Sequence, residues 1–179
     1  VAFSPDGRFA VSHTKPKGIL LWDVASGKLL RTLIGQDKMG DDRDNYSLNF
    51  SHDARYVLAG CFVHDLQSGR TTQVFEKCSE GLVAAFPGGN YAIYPGDLGP
   101  GLQINEFTTG KLVASLMTLG NGEWMTITAD NYYVASPAGE KRLTVSTGHV
   151  NLPIDAYRST YNKPKQVIRA LTPLVRKRQ

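Results

Sequence analysis

The strongest constraint on this chain is that it repeats. Three segments align without gaps: Trp22-Asp23-Val24-Ala25-Ser26-Gly27-Lys28, His64-Asp65-Leu66-Gln67-Ser68-Gly69-Arg70 and Asn105-Glu106-Phe107-Thr108-Thr109-Gly110-Lys111. Each reads polar or aromatic, acid, apolar, two small or polar residues, glycine, base. Gly27, Gly69 and Gly110 are 42 and 41 residues apart. A second marker runs in phase upstream: Phe3-Ser4-Pro5-Asp6-Gly7-Arg8, Phe50-Ser51-His52-Asp53-Ala54-Arg55, Phe86-Pro87-Gly88-Gly89-Asn90 and Ile127-Thr128-Ala129-Asp130-Asn131-Tyr132, with first residues 47, 36 and 41 apart. A period near 40 residues marks an array of supersecondary units, none of which can bury its apolar face alone.

Within one period, short apolar runs alternate with turn residues. Val1-Ala2-Phe3, Phe9-Ala10-Val11, Ile19-Leu20-Leu21-Trp22 and Leu29-Leu30-Arg31-Thr32-Leu33 read as strands. Pro5-Asp6-Gly7 and Ser26-Gly27 read as turns between them. Four antiparallel strands in about 40 residues make one propeller blade. The second blade covers Ser47–Phe75, with a short hairpin at Ala59–Phe62, and the third covers Leu82–Met117. A fourth is expected to open at Glu123-Trp124-Met125-Thr126-Ile127 and to continue through Tyr132–Ala135 and Leu143–Ser146. The expected fold is therefore all-β, about three and a half to four blades, with blades over 1–150 and an extension over 151–179 carrying a short helix and a basic end. The positions expected to hold the repeat together are Phe3, Asp6, Gly7, Trp22, Asp23 and Gly27 in the first unit, and Phe50, Asp53, Asp65 and Gly69 in the second. Phe86, Glu106 and Gly110 follow in the third, and Asp130 in the fourth.

At Phe3-Ser4-Pro5-Asp6-Gly7-Arg8, Leu21-Trp22-Asp23-Val24 and Gly27-Lys28 the chain resembles the WD-repeat β-propeller family. The first unit is a near-consensus copy and the next two are degenerate. The resemblance implies blades that act as a surface for protein partners. It departs from the family where a Gly-His pair before each unit and a hairpin Asp would reach the Trp through a Ser or Thr; here the hairpin reads Lys15-Pro16. Trp22 is then expected to pack without that network and to find another acceptor for its indole N–H, which is costly to leave unpaired. A second resemblance covers Glu123–Gly139, Tyr157-Arg158, Tyr161-Asn162-Lys163-Pro164 and Val167-Ile168-Arg169-Ala170-Leu171. These are similar to the closing segment of bacterial WD-repeat proteins in which a caspase-like peptidase domain sits beside the propeller. That likeness implies a neighbour and places no catalytic residue in this chain.

Composition narrows the functional classes. Of 179 residues, 41% are hydrophobic and 20% charged, which is ordinary for a globular chain and unlike a disordered one. No apolar run approaches the length of a spanning helix, and the opening residues do not read as a secretory signal. The net charge of +4 comes from one end. Lys163, Lys165, Arg169, Arg176, Lys177 and Arg178 lie in 162–179 with no acid among them; removing those six leaves −2 for Val1–Tyr161. This strip lacks interleaved aromatics, so neither nucleic acid nor membrane is the expected partner. Pro164–Leu171 reads as a helix with Pro in its first turn and Val167, Leu171 and Leu174 on one face. Pro173 is expected to end or bend it.

No constellation for chemistry stands out. Cys61 lies in Ala-Gly-Cys-Phe-Val and Cys78 in Glu-Lys-Cys-Ser-Glu, neither of which fits the surroundings of a caspase-like nucleophile. Both are expected to be reduced and the chain cytoplasmic, because two cysteines make no disulfide framework. His13, His52, His64 and His149 show no metal or dyad spacing. The acidic run Asp37, Asp41, Asp42 and Asp44 lacks the ordered spacing of a calcium loop. Gly88-Gly89 and Gly96 through Gly101 match no phosphate loop and read as turns. A metal-dependent propeller hydrolase would need repeated acids or histidines on the inner strands, and none repeat. The expected function is a non-enzymatic scaffold for protein partners, without cofactor or metal. An open array exposes unpaired strand edges, so the chain is expected to be part of a larger protein or to close by self-association. The alternative is the regulatory propeller region of a bacterial caspase-like cysteine peptidase.

Overall fold

A computed structural model describes residues 1–15, 17–34, 47–74, 84–85, 91–95, 101–146, 148 and 150–174. The chain divides into two compact units, one formed by 1–94 with 106–111 and the other by 95–105 with 112–179.

The first unit contains two four-stranded antiparallel blades. In the first, strands β1 (Ala2–Phe3), β2 (Phe9–Thr14), β3 (Gly18–Asp23) and β4 (Leu29–Ile34) lie side by side in chain order. The second repeats this with β5 (Leu48–Phe50), β6 (Tyr56–Ala59), β7 (Phe62–Asp65) and β8 (Thr71–Gln73). Ile19, Leu20 and Leu21 are all buried, as a continuous apolar run predicts for a strand covered on both faces. A further pair, β9 (Ala84–Ala85) and β10 (Tyr91–Pro95), is antiparallel.

Register decides which residues share a face, because directly opposed residues point the same way. In the first blade Phe3, Ala10, Trp22 and Leu29 form one row across the four strands, and Ala2, Val11, Leu21 and Arg31 form a row on the other face. In the second blade Phe50, Val57, His64 and Thr71 form the row equivalent to the first of these. The core lies between the blades: Val11, Ile19, Leu21, Leu33 and Ile34 of the first pack with Phe50, Val57 and Ala59 of the second. A second cluster joins Leu58 and Val63 to Ala92 and Phe107. At about 25 cal/mol per Å² of apolar surface, such inter-blade burial is the main stabilising term.

The second unit departs from the expected plan. Strands β11 (Gly101–Glu106), β12 (Leu112–Gly120), β13 (Glu123–Thr128) and β14 (Tyr133–Ala135) form successive antiparallel pairs. The fourth repeat therefore opens no sheet of its own. Its strands β13 and β14 extend the edge of β12, because the tight turn at Gly120-Asn121-Gly122 folds β13 straight back onto β12. The chain then forms a helical turn α1 (Pro137–Glu140) and a separate two-stranded ribbon of β15 (Thr144–Ser146) and β16 (Asn151–Pro153). Thr144–Ser146 thus pairs within this ribbon and not with β14. A 3-10 turn at Ile154–Tyr157, α2 (Arg158–Tyr161) and α3 (Pro164–Leu171) complete the unit. The helix α3 has the bounds its sequence predicts, buries Val167 and passes into a 3-10 turn at Thr172–Leu174, where Pro173 stops the α geometry.

Candidate functional site

The repeat markers are turn latches, and the same atoms do the same work in successive blades. Ser4 Oγ donates to Asp6 Oδ1 at 2.6 Å and accepts from Phe9 N–H at 2.9 Å, while Asp6 accepts from Arg8 N–H at 3.1 Å. Ser51, Asp53, Arg55 and Tyr56 reproduce this set at 2.6, 2.9 and 3.1 Å. In the fourth repeat Thr128 Oγ1 accepts from Tyr132 N–H at 3.2 Å, with Asp130 exposed in the turn. The residue after each acid has positive φ: 72° at Gly7, 56° at Ala54 and 63° at Asn131. The Ser4 hydroxyl, then the Arg8 amide, hold the Asp6 carboxyl below its ordinary value. At Asp53 burial pushes upward, but the Ser51 hydroxyl and Arg55 amide outweigh it and the carboxyl is again lowered.

The second marker closes the turn between the third and fourth strands. Asp23 Oδ1 accepts from Ser26 N–H at 2.8 Å and Ser26 Oγ at 2.6 Å. Asp65 Oδ1 accepts from Gln67 and Ser68 N–H at 2.8 and 3.2 Å. Thr109 Oγ1 donates to Glu106 Oε2 at 2.5 Å. Gly27, Gly69 and Gly110 all sit at positive φ, and a Cβ at Gly110 would lie 2.0 Å from the Val74 carbonyl oxygen. Arg55 joins the two latches of its blade by pairing with Asp65 at 3.0 Å, and that guanidinium, above all, holds the Asp65 carboxyl far below its usual range. The repeat acids are thus structural groups within the blade turns.

Trp22 Nε1 donates to Ser12 Oγ at 2.9 Å, so its indole N–H is paired through a serine on the neighbouring strand. In the second blade His64 takes the Trp22 position and Ala59 the Ser12 position, so no hydroxyl is available there. The buried His64 ring shares 2.6 Å between Nδ1 and Thr71 Oγ1, and its Nε2 meets no polar partner among the described residues. Burial first, then the Arg31 charge, hold His64 below its ordinary value.

The second unit contains a buried polar knot that sequence reasoning did not single out. Glu140 Oε1 accepts from Tyr133 Oη at 2.7 Å and Asn162 Nδ2 at 2.9 Å, and Oε2 accepts from Arg158 Nη2 at 2.5 Å. Its partners lie 7, 18 and 22 residues away, at spacings that fit no local motif. The Tyr133 hydrogen bond leads in holding Glu140 below the usual carboxylate range. Burial, then Glu140, pushes the Tyr133 hydroxyl up to about 12. A cleft of about 270 Å³ beside the knot is lined by Ile127, Tyr133, Leu143, Val145, Ile154 and Tyr161 among others. Glu123 anchors the start of α1 by accepting from Ser136 Oγ and from Gly139 N–H at 3.0 Å.

The basic strip is only partly described. Lys163, Lys165 and Arg169 are exposed on and beside α3, while Arg176, Lys177 and Arg178 lie outside the described residues. Phe86, Cys78, His149, the acidic run from Asp37 to Asp44 and the glycines at 88, 89, 96 and 99 lie outside them too. Cys61 is disulfide-bonded, which corrects the expectation of a reduced thiol: its place in an apolar strand turn reads equally well as a small hydrophobe, so sequence alone favours the wrong state. Among the described residues no group of three His, Cys, Asp or Glu is placed to hold a metal ion, and no helix is long and apolar enough to cross a membrane.

No family profile matches the chain, and none of the curated proteins matches it. Solved structures do. The WD40 repeats of RRP9 superpose with a TM-score of 0.52 at 18% identity over 75% of this chain and 46% of that one. U3-55K gives a TM-score of 0.51 at 17% identity over 75% of this chain and 46% of its own length. The chain spans about half the length of these structures. At such low identity the likeness speaks for the fold alone, and together with the repeated latches it leads to one conclusion: this chain is built of antiparallel β-propeller blades similar to those of the solved WD40 structures.

Proposed function

We propose that the chain is a non-enzymatic scaffold that holds protein partners on the turns of its blades, as part of a larger protein. The observation that supports this most is the repeated latching of those turns. Ser4–Asp6, Ser51–Asp53, Asp23–Ser26 and Thr109–Glu106 rigidify short loops whose remaining side chains, including Lys28 and Arg70, stand in solvent. Rigid frames with exposed turns are where binding residues concentrate. The solved WD40 neighbours fit this reading. The test is capture from a lysate of its own source by the immobilised native protein, repeated with Lys28→Glu and Arg70→Glu. Specific partners lost on charge reversal support the reading; no specific partner, or partners indifferent to both changes, sinks it. Nucleic acid and membranes are not favoured as partners, and self-association to complete the ring is the remaining partner class.

A second reading rests on a sequence likeness. The segment from Glu123 to Leu171, similar to the closing segment of peptidase-associated bacterial proteins, folds around its own buried Glu140 knot. In this reading the blades are the regulatory region of a caspase-like cysteine peptidase. A reading frame without a His/Cys peptidase domain removes it. As to location, the disulfide at Cys61 sits better with an oxidising compartment than with the cytoplasm, where thiol pools keep such bonds reduced.

A further inference from the structure

In the ribbon of β15 and β16, Thr144 lies opposite Pro153, Val145 opposite Leu152 and Ser146 opposite Asn151. Ile154 N–H donates to the Leu143 carbonyl at 3.1 Å in the same register. Bonded and non-bonded pairs alternate along an antiparallel ladder. Val145 therefore bonds towards β16, while Thr144 and Ser146 turn their N–H and C=O groups the other way. Pro153, with no N–H to offer, fits its place opposite Thr144. Among the described residues no third strand joins the ribbon, and no backbone group meets the outward edge of Thr144 and Ser146.

That edge borders the cleft of about 270 Å³ beside the Glu140 knot, and Leu143, Thr144, Val145 and Ser146 all line it. Successive side chains of a strand point to opposite faces, so a cleft that touches all four runs along the strand's edge, where main-chain groups are on offer. Thr144 and Ser146 are exposed on one face, and Leu143 and Val145 are half-buried on the other with the buried Ile154. Ile127 and Tyr133 extend this apolar side of the cleft. The Tyr133 hydroxyl is turned to Glu140 at 2.7 Å, which leaves its ring for the cleft. No Asp, Glu, Lys, Arg or His lines the cleft among the described residues.

We propose that the β15 edge takes an extended, uncharged peptide segment of a partner protein as an added strand, with one aliphatic side chain seated in the cleft. Strand addition uses main-chain bonds for affinity and pockets under alternate side chains for specificity. Here the partner residues opposite Thr144 and Ser146 make the bonds, and the residue between them points to the Val145 side, into the cleft. The volume lies just under the ~300 Å³ at which sites for whole small ligands begin, which suits a single side chain. A charged side chain there meets no counter-charge and loses its hydration. A second copy of this chain is a poorer occupant. Pairing β15 with β15 sets Val145 against Val145, each already lining its own cleft, and leaves both clefts unfilled. The site lies wholly in the second unit and goes beyond the reading of the blade turns.

The test titrates the isotope-labelled 179-residue chain with acetylated and amidated pentapeptides Ser-Thr-X-Thr-Ser, with X as Ile, Leu, Val or Asp, and follows the backbone amides by NMR. At least one aliphatic peptide is expected to shift the Thr144 and Ser146 amides, to slow their hydrogen exchange, and to saturate in the millimolar range. The Asp peptide is expected to bind at least roughly tenfold more weakly, the equivalent of about 1.4 kcal/mol. N-methylation of both threonines, which removes the ladder donors and keeps the central side chain, is expected to abolish binding. Ser146→Pro removes one outward N–H and no bond to β16, so it is expected to weaken binding several-fold at unchanged Tm. The N-methyl peptide asks the same question of the unaltered protein should Ser146→Pro fail to fold. No shift with any aliphatic peptide overturns the proposal, as does equal binding of the Asp or the N-methylated peptide. Thr144 and Ser146 shifts that follow protein concentration without peptide assign the edge to a second copy and also overturn it. Lys28→Glu and Arg70→Glu, in the first unit, are expected to leave peptide binding unchanged, so this proposal and the reading of the blade turns fail separately.

Discussion

Arg31 of the first blade donates its Nη2 to the main-chain carbonyl of Leu66 in the second, at 2.6 Å. The bond crosses the boundary between two sheets that meet mainly through apolar side chains, with a second, longer bond from Thr71 Oγ1 to the Leu33 carbonyl at 3.4 Å, and it ends on the turn that Asp65 organises. Replacing Arg31 with Met keeps much of the stem and removes the donor. The expected cost is about 1 kcal/mol, since the pair is open to water. It should appear as a lower urea midpoint at unchanged m-value.

Ala54 sits at φ 56°, where the other repeats place Gly7 and Asn131. A Cβ in the left-handed region costs roughly 1 kcal/mol. Ala54→Gly is therefore expected to stabilise the protein by up to about that amount, less the extra freedom glycine gives the unfolded chain. Thermal unfolding should show a higher Tm; a lower one would mean that the Ser51–Asp53 latch does not enforce this backbone.

At Gly110 the constraint is space. A Cβ there would meet the Val74 carbonyl oxygen at 2.0 Å, whereas one at Gly27 would meet nothing within 4 Å. Gly110→Ala is expected to cost roughly 3 kcal/mol, as overpacking against backbone does. Gly27→Ala should cost about 1 kcal/mol, from positive φ alone. Denaturant titration of the two variants side by side checks the order.

The Glu140 knot makes an ordered pair of predictions. Glu140→Gln keeps the shape but loses the charge that receives Arg158, and because Arg158 is largely exposed the cost is about 2 kcal/mol. Glu140→Leu also strands the Tyr133 hydroxyl and the Asn162 amide and should cost more. Urea unfolding with the near-ultraviolet tyrosine signal as probe reads both.

His64 sets an acid limit on the first unit. Its folded value lies below 6.5 because of burial and then Arg31, so below that pH the unfolded chain binds a proton that the folded chain refuses. The stability it contributes is complete above 6.5 and declines as pH falls toward the folded value. Tm is expected to drop as pH falls below 6.5 in the native chain and to drop less in His64→Leu. The lowered carboxyls of Asp65 and Glu140 act in a separate window further down, below their ordinary values of 3.8 and 4.5. An unchanged profile in His64→Leu would remove His64 as the upper step.

The sequence by itself determined the blades. A serine and an acid two residues apart, and an acid followed by a small hydroxyl residue and glycine, are local devices. Their partners lie within five residues, so Ser4–Asp6 and Asp23–Ser26 can be read before any fold is known. The apolar runs between them fix strand order because short turns leave only antiparallel neighbours. The helix at Pro164–Leu171 was legible for the same reason. Tertiary structure decided what lies beyond one turn of chain. Sequence periodicity made Glu123–Ile127 the start of a new sheet, but periodicity does not say which edge a strand joins, and the turn at 120–122 gives it to β12. Only the packing of the two blades shows that Phe50 is buried and Phe3 bare, although their local sequences match. The Glu140 knot gathers residues up to 22 positions apart, and such contacts leave no periodic trace. Burial in a shared core is a property of neighbouring sheets, and a strand carries no record of which neighbour it will meet.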